Sequence, residues 1–223
     1  MPKNPPPVRL TRRHVMAIGA SFCAGALAGC RDTQFHAMDI SGASPPLAFT
    51  MTRARDAKAV SEADYRGKVT LLYFGYTFCP DICPLTLSNV ADVLRRLGSQ
   101  ADAVRVLFAT VDPARDTLPV LADYEKSFAP QIDALRGTPD QLAALARRYR
   151  IAYSAEPATK DRPYQVTHGS VVYVFDGTGA ARLLIASLAA AHPDIAGTAE
   201  DLRRLIAEAR PQTSIISRLR QLV

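Results

Sequence analysis

Apolar positions divide the chain into short unbroken runs and longer stretches of helical spacing, the alternation expected of an α/β fold. Val69 to Phe74 (VTLLYF) is a continuous β-rich run, as expected of a buried central strand, and Val104 to Val111 (VRVLFATV) is a second. Between them, Leu87, Val90, Val93, Leu94 and Leu97 follow helical spacing from Pro84, and Gly98 supplies a stop. Thr117 is placed to cap a helix with Leu121, Tyr124 and Phe128 on one face, ended by Pro130. Thr138, Pro139 and Gln141 spell a capping box that opens a third helix, with Leu142, Leu145 and Tyr149 inward.

Towards the C-terminus, SVVYVFD and ARLLIAS flank DGTGA, which predicts a hairpin around Asp176 to Gly179. Thr198 and Asp201 open a last amphipathic helix that Pro211 ends. A short hairpin is expected from LAFTM and the segment around Val60. Residues 154–167 are polar and proline-bearing and are expected to form a functional loop leading to His168. The order βα, βα, α, ββα predicts one α/β domain over residues 47–210, with a mixed sheet and helices on both faces. Residues 31–46 are expected to be a tether and 211–223 a C-terminal tail.

Composition adds little to the fold but more to the location. The chain has 223 residues, 48% hydrophobic and 22% charged, enough apolar material for one sizeable core. Its net charge is +6, yet Lys3, Arg9, Arg12 and Arg13 stand in the first thirty residues with no acid, leaving 23 basic against 21 acidic side chains. That near balance gives no reason to expect a nucleic-acid partner. Residues 1–30 read as an export signal: a basic opening, then an uncharged run from Val15 to Gly29, short for a membrane span of about 20 residues. Leu27 to Cys30 (LAGC) resembles the bacterial lipoprotein box, which implies cleavage before a lipidated Cys30. Thr11, Arg12 and Arg13 loosely resemble a twin-arginine signal. An uncleaved N-terminal anchor gives the same topology, and both place the domain outside the cytoplasm, in the periplasm at the bacterial cell membrane.

Cysteine usage then narrows the chemistry. Cys23 leaves with the signal and Cys30 is taken by lipid, so Cys79 and Cys83 remain, in FGYTFCPDICP directly after the first core strand. A structural disulfide, a redox dithiol and a metal site are all open to such a pair. A four-residue separation closes too small a loop for much entropic gain from a bridge.

A cysteine pair between a core strand and a helix, with a terminal β-hairpin and helix, matches the thioredoxin-like fold, although the spacing is CxxxC and not CxxC. FGYTFCPDICP, VDPARDT and YQVTHG further resemble the Sco/SenC family over roughly Leu47 to Ala209. The chain departs from the family at Thr167, where aspartate is common. The resemblance implies a membrane-tethered copper chaperone that helps assemble the copper centre of cytochrome c oxidase, with a copper-bearing oxidase subunit as client.

The residues agree with that chemistry. Cys83 precedes Pro84, at or beside a helix N-cap, where free amides and the helix dipole are expected to lower its pKa. A thiolate serves both soft-metal binding and disulfide attack, so a third ligand decides. In a thioredoxin-like topology the loop before the hairpin strand packs on the cysteine turn, which makes His168 that ligand. Two sulfurs and one imidazole suit Cu(I), and a cysteine and histidine mixture also holds Cu(II). Val166 to Ser170 lacks the proline with which thioredoxins receive substrate, which argues against ordinary disulfide exchange. Zinc would want a fourth protein ligand, and none stands out.

Asp81 is expected to bond turn amides, and Pro80 and Pro84 to stiffen the turn. His36 and His192 are expected to be solvated. Asp112, Arg115 and Asp116 are expected to hold their loop beside the cysteine turn, with partner docking as a further role. A thiol:disulfide oxidoreductase using Cys79 and Cys83 is the alternative function, and a peroxidase of the related class a weaker third.

Overall fold

The computed structural model describes residues 34–156, 158–160 and 164–209. The expected export signal with Cys30 and the expected tail lie outside these residues. Among the described residues no helix is long and apolar enough to cross a membrane.

Among the described residues ten strands form in chain order: β1 (Met38–Asp39), β2 (Thr50–Arg53), β3 (Ala59–Ser61), β4 (Val69–Gly75), β5 (Val104–Thr110), β6 (Ile132–Arg136), β7 (Tyr153–Glu156), β8 (Gln165–His168), β9 (Val172–Phe175) and β10 (Ala181–Ile185). Four α-helices accompany them among the same residues: α1 (Ile82–Leu97), α2 (Leu118–Glu125), α3 (Pro139–Arg148) and α4 (Ile195–Ala209). Eight strands make one mixed sheet in the order β1-β10-β9-β4-β5-β6-β2-β3, parallel at β4–β5 and β5–β6 and antiparallel elsewhere. β4 lies inside it with all seven residues buried, so side chains on both faces are covered. That is why its sequence is continuously apolar and does not alternate. Leu72, Tyr73, Phe74, Phe108 and Phe175 are fully buried around this strand, and α1 packs against α4.

The expected capping box on α3 is formed: the Thr138 hydroxyl accepts from the Gln141 amide, and the Gln141 side chain accepts from the Thr138 amide. The β9–β10 hairpin turns at Asp176, whose carboxylate accepts from the Thr178 and Ala180 amides, with Gly179 at φ +79°.

Four sequence expectations are corrected. β6 is a strand that the apolar pattern did not announce, because Asp133 interrupts it. Asp133 is buried and accepts from the Tyr65 hydroxyl at 2.9 Å while pairing with Arg55. The expected loop 154–167 is in part a ribbon, with β7 and β8 paired antiparallel and Tyr153 opposite His168. Helices α1 and α4 start before Pro84 and Thr198; the Asp194 carboxylate accepts from the Gly197 amide ahead of Thr198.

The fourth correction concerns the expected tether, because the folded unit begins at Phe35, not Leu47. β1 pairs with β10, and the buried Asp201 carboxylate accepts from the amides of His36 at 3.0 Å and Ala37 at 2.8 Å. The Phe35 ring lies under Arg204 at 4.0 Å. Asp201→Ala should therefore lower stability in urea unfolding by about 1–2 kcal/mol, the cost of two unpaired amides. If this segment were a loose tether, the substitution would leave stability unchanged.

Candidate metal centre

The cysteine turn follows from the way β4 ends. Gly75 is its last residue, and a Cβ there would stand 2.9 Å from Cys83 Sγ and 2.5 Å from the Phe108 ring. Glycine is thus the residue that admits a buried sulfur beside the strand end. The chain turns, with the Cys79 amide donating to the Tyr76 carbonyl, and enters α1 at Ile82. Cys83, the second residue of α1, is fully buried, and Cys79 is 9% exposed. Both cysteines are free. Asp81 does not bond the turn amides as expected: it stands at the N-cap with an exposed carboxylate and makes no cap bond. The sulfur of Cys79 takes that place, accepting from the Cys83 amide at 3.4 Å.

His168 reaches the same spot from 85 residues away. Val172 of β9 lies opposite Tyr73 of β4, so the chain entering β9 passes the strand end from which the cysteines depart. His168 Nε2 lies 3.2 Å from Cys83 Sγ, and Nδ1 lies 2.8 Å from the Gly169 carbonyl oxygen. That oxygen can only accept, so Nδ1 carries the proton and Nε2 turns its lone pair to the sulfur. Tyr76 and Tyr73 stand edge-on to the ring at 5.6 and 6.1 Å. Thr167 does not take part in orienting the ring, since its hydroxyl pairs with Ser154 at 2.7 Å.

The ligand atoms of Cys79, Cys83 and His168 all lie within 4.8 Å of one another. Bonds of about 2.0–2.3 Å to a three-coordinate ion place donors roughly 3.5–4 Å apart, so one ion fits this set after small side-chain shifts. Among the described residues these three alone form such a group. His36 is elsewhere, half-exposed beside Asp194 and Glu200.

The electrostatics correct one expectation. Burial pushes the Cys83 thiol up to about 12, outweighing hydrogen bonds that act the other way. The helix-end amides are present, but removal from water is the larger effect. Burial also lowers the His168 pKa, favouring neutral imidazole. In the metal-free centre Cys83 is therefore held as a thiol and His168 as a neutral imidazole.

The DPARDT segment holds the turn, as expected. Asp116, fully buried, accepts from the Thr77 amide at 3.1 Å, the Thr77 hydroxyl at 2.6 Å and the Thr110 hydroxyl at 2.5 Å. Burial raises its pKa. Arg115 pairs with Asp112 at 2.5 Å, and the Tyr164 hydroxyl donates to Asp112 at 2.8 Å. Thr117 stands at the N-cap of α2 without a side-chain cap bond. Sequence reasoning missed Phe78, Tyr76 and Tyr164 as neighbours of the site; Tyr76 and Phe78 stand next to Cys79 in the motif, which was the available signal.

Comparison with known proteins agrees with this geometry. The sequence model of the SCO1/SenC family matches residues 43–207. The mitochondrial SCO2 homologue of Bos taurus is 42% identical over 120 residues, which is 53% of this chain and 45% of that protein. The chain thus spans about half the length of the curated relatives it matches. Bradyrhizobium japonicum ScoI with copper bound is similar at 35% identity and a TM-score of 0.64, over 73% of this chain and 99% of that one. Arabidopsis thaliana ScoI with copper bound is 30% identical at the same TM-score, over 73% of this chain and 98% of that one.

The burial of the site predicts a pH profile for the reduced, metal-free protein. Cys83 is raised from 9.0 to about 12, so its contribution to stability is complete below pH 9 and fades as pH rises towards 12. His168 is lowered from 6.5, so its contribution is complete above that pH and fades below it. Urea unfolding across pH should show a shallower alkaline decline in Cys83→Ser than in the wild type; identical alkaline limbs would contradict this.

Proposed function

The chain belongs to the SCO1/SenC family, and on that footing we propose that it carries copper outside the cytoplasm and delivers it to the copper subunit of a terminal oxidase. One copper is held by Cys79, Cys83 and His168. The observation that carries this reading is the convergence of two sulfurs and one imidazole nitrogen within 4.8 Å. Two soft sulfurs favour Cu(I), and the imidazole lets the same set accept Cu(II). Each cysteine gives up its proton as the ion arrives, so loading is coupled to pH. A groove of about 570 Å³, lined by Arg150, Tyr153, Ser154, His168 and Tyr173 among others, opens beside the imidazole and offers a client access to that ligand.

In the same reading Cys30 is lipidated and anchors the protein at the membrane. Confinement there raises its effective concentration near a membrane-bound client. Mass spectrometry of membrane-extracted protein should find a lipid-modified N-terminus at Cys30, and an unmodified, uncleaved N-terminus would overturn the lipid anchor.

A second reading, a thiol:disulfide oxidoreductase that reduces client cysteines before metal arrives, draws on the two free cysteines with neighbouring sulfurs. The raised Cys83 pKa disfavours that residue as a resting nucleophile. Anaerobic copper titration of the reduced protein and of His168→Ala separates the two. The expected result is one copper per wild-type chain and an affinity at least about 10-fold lower in the variant, with thiol exchange retained. Unchanged stoichiometry and affinity in the variant would sink the three-ligand site.

A further inference from the structure

We infer that Arg115 is a positioning residue for the metal centre, holding the strand that carries His168 against the turn that carries Cys79. The inference rests on the copper-site reading above. The guanidinium carbon lies 4.0 Å from the centre of the Tyr164 ring, 4.8 Å from that of Phe78 and 5.8 Å from that of Tyr76. Phe78 directly precedes Cys79, and Tyr164 directly precedes β8, whose last residue is His168. One guanidinium thus touches aromatic rings on both segments that supply ligands. Asp112 completes the link: it is 1% exposed, its Oδ2 accepts from Arg115 Nε, and its Oδ1 accepts from the Tyr164 hydroxyl.

The position of β8 gives this contact its importance. β7 and β8 form a sheet of their own and take no place in the eight-stranded sheet. The β4–β9 ladder carries the chain to Val172 beside the cysteine turn, but among the described residues no main-chain ladder joins β8 itself to that turn. Side chains must supply that connection, and the Arg115 stack joins the two segments directly. Phe78 is 56% exposed, and the guanidinium over its ring is drawn there by the negative face of the aromatic system. Lysine would keep the charge but lose the planar face that stacks and the Nε–H that meets Asp112.

The experiment is a competition titration of Cu(I) between a chromophoric chelator and the reduced full chain, under anaerobic conditions. Wild type, Arg115→Lys, His168→Ala and the double variant are compared. A residue acting through the imidazole gives an affinity about 10-fold weaker in Arg115→Lys, as for other residues that support a metal ligand. In the His168→Ala background the same change should add nothing, because the ligand it positions is gone. Tyr164→Leu, which strips the stack from the β8 side and leaves Arg115 in place, should show the same dependence on His168. It serves as the test if Arg115→Lys folds poorly. Unchanged affinity in both single variants, or equal losses with and without His168, would overturn the inference while leaving the copper site intact. If His168→Ala binds copper as the wild type does, the three-ligand reading itself fails, and this inference with it.

Discussion

The antiparallel pairing of β4 with β9 is the constraint on which the site depends. β4 delivers the cysteines because the chain continues directly from Gly75 into their turn. β9 brings His168, because the register that sets Val172 opposite Tyr73 leads the preceding residues past the same strand end. A slip of one residue would turn every side chain of β9 to the other face of the sheet. The parallel pairing of β4 with β5 adds the third component, since Gly75 lies opposite Thr110 and the Val111 amide donates to the Gly75 carbonyl. Asp112, Arg115 and Asp116 therefore emerge beside the cysteine turn, at the carboxyl ends of parallel strands, where open α/β sheets place their ligand sites.

Burial gives the centre its chemical character. Fully buried Cys83 rests as a thiol, and the histidine beside it rests neutral with a lone pair facing the sulfur. Thiolates are the forms that oxidise and exchange, so a protonated, buried sulfur is protected while no ion is present. A cation held by this set would supply the compensation that water otherwise gives, and Cys83 would give up its proton to bind it. Gly75 is the structural condition for this arrangement, because any side chain there would occupy the space of the Cys83 sulfur.

Much of the site was legible in the sequence, and the parts that were not have physical reasons. Cys79 and Cys83 stand directly after a continuous apolar run, which marks their place in the fold, and β4, β5 and the α3 capping box announce themselves by periodicity and end signals. His168 could be placed only through a fold assignment, since its 85-residue separation from Cys83 carries no local signal. β6 escaped because its second residue, Asp133, is buried against Tyr65 and Arg55, partners that no local pattern reveals. The segment from Phe35 escaped because much of its attachment is through backbone amides to Asp201, which leave no trace in its own composition. The Cys83 pKa was misjudged because a helix N-terminus is readable in sequence, whereas the depth to which its sulfur is buried is not.

X-ray absorption of the anaerobically Cu(I)-loaded protein measures the central claim most directly, because it counts the ligands. Two sulfurs and one imidazole nitrogen in the first shell are the predicted result, with the nitrogen lost in His168→Ala. A first shell of two sulfurs alone, identical in the wild type and in that variant, would contradict the account.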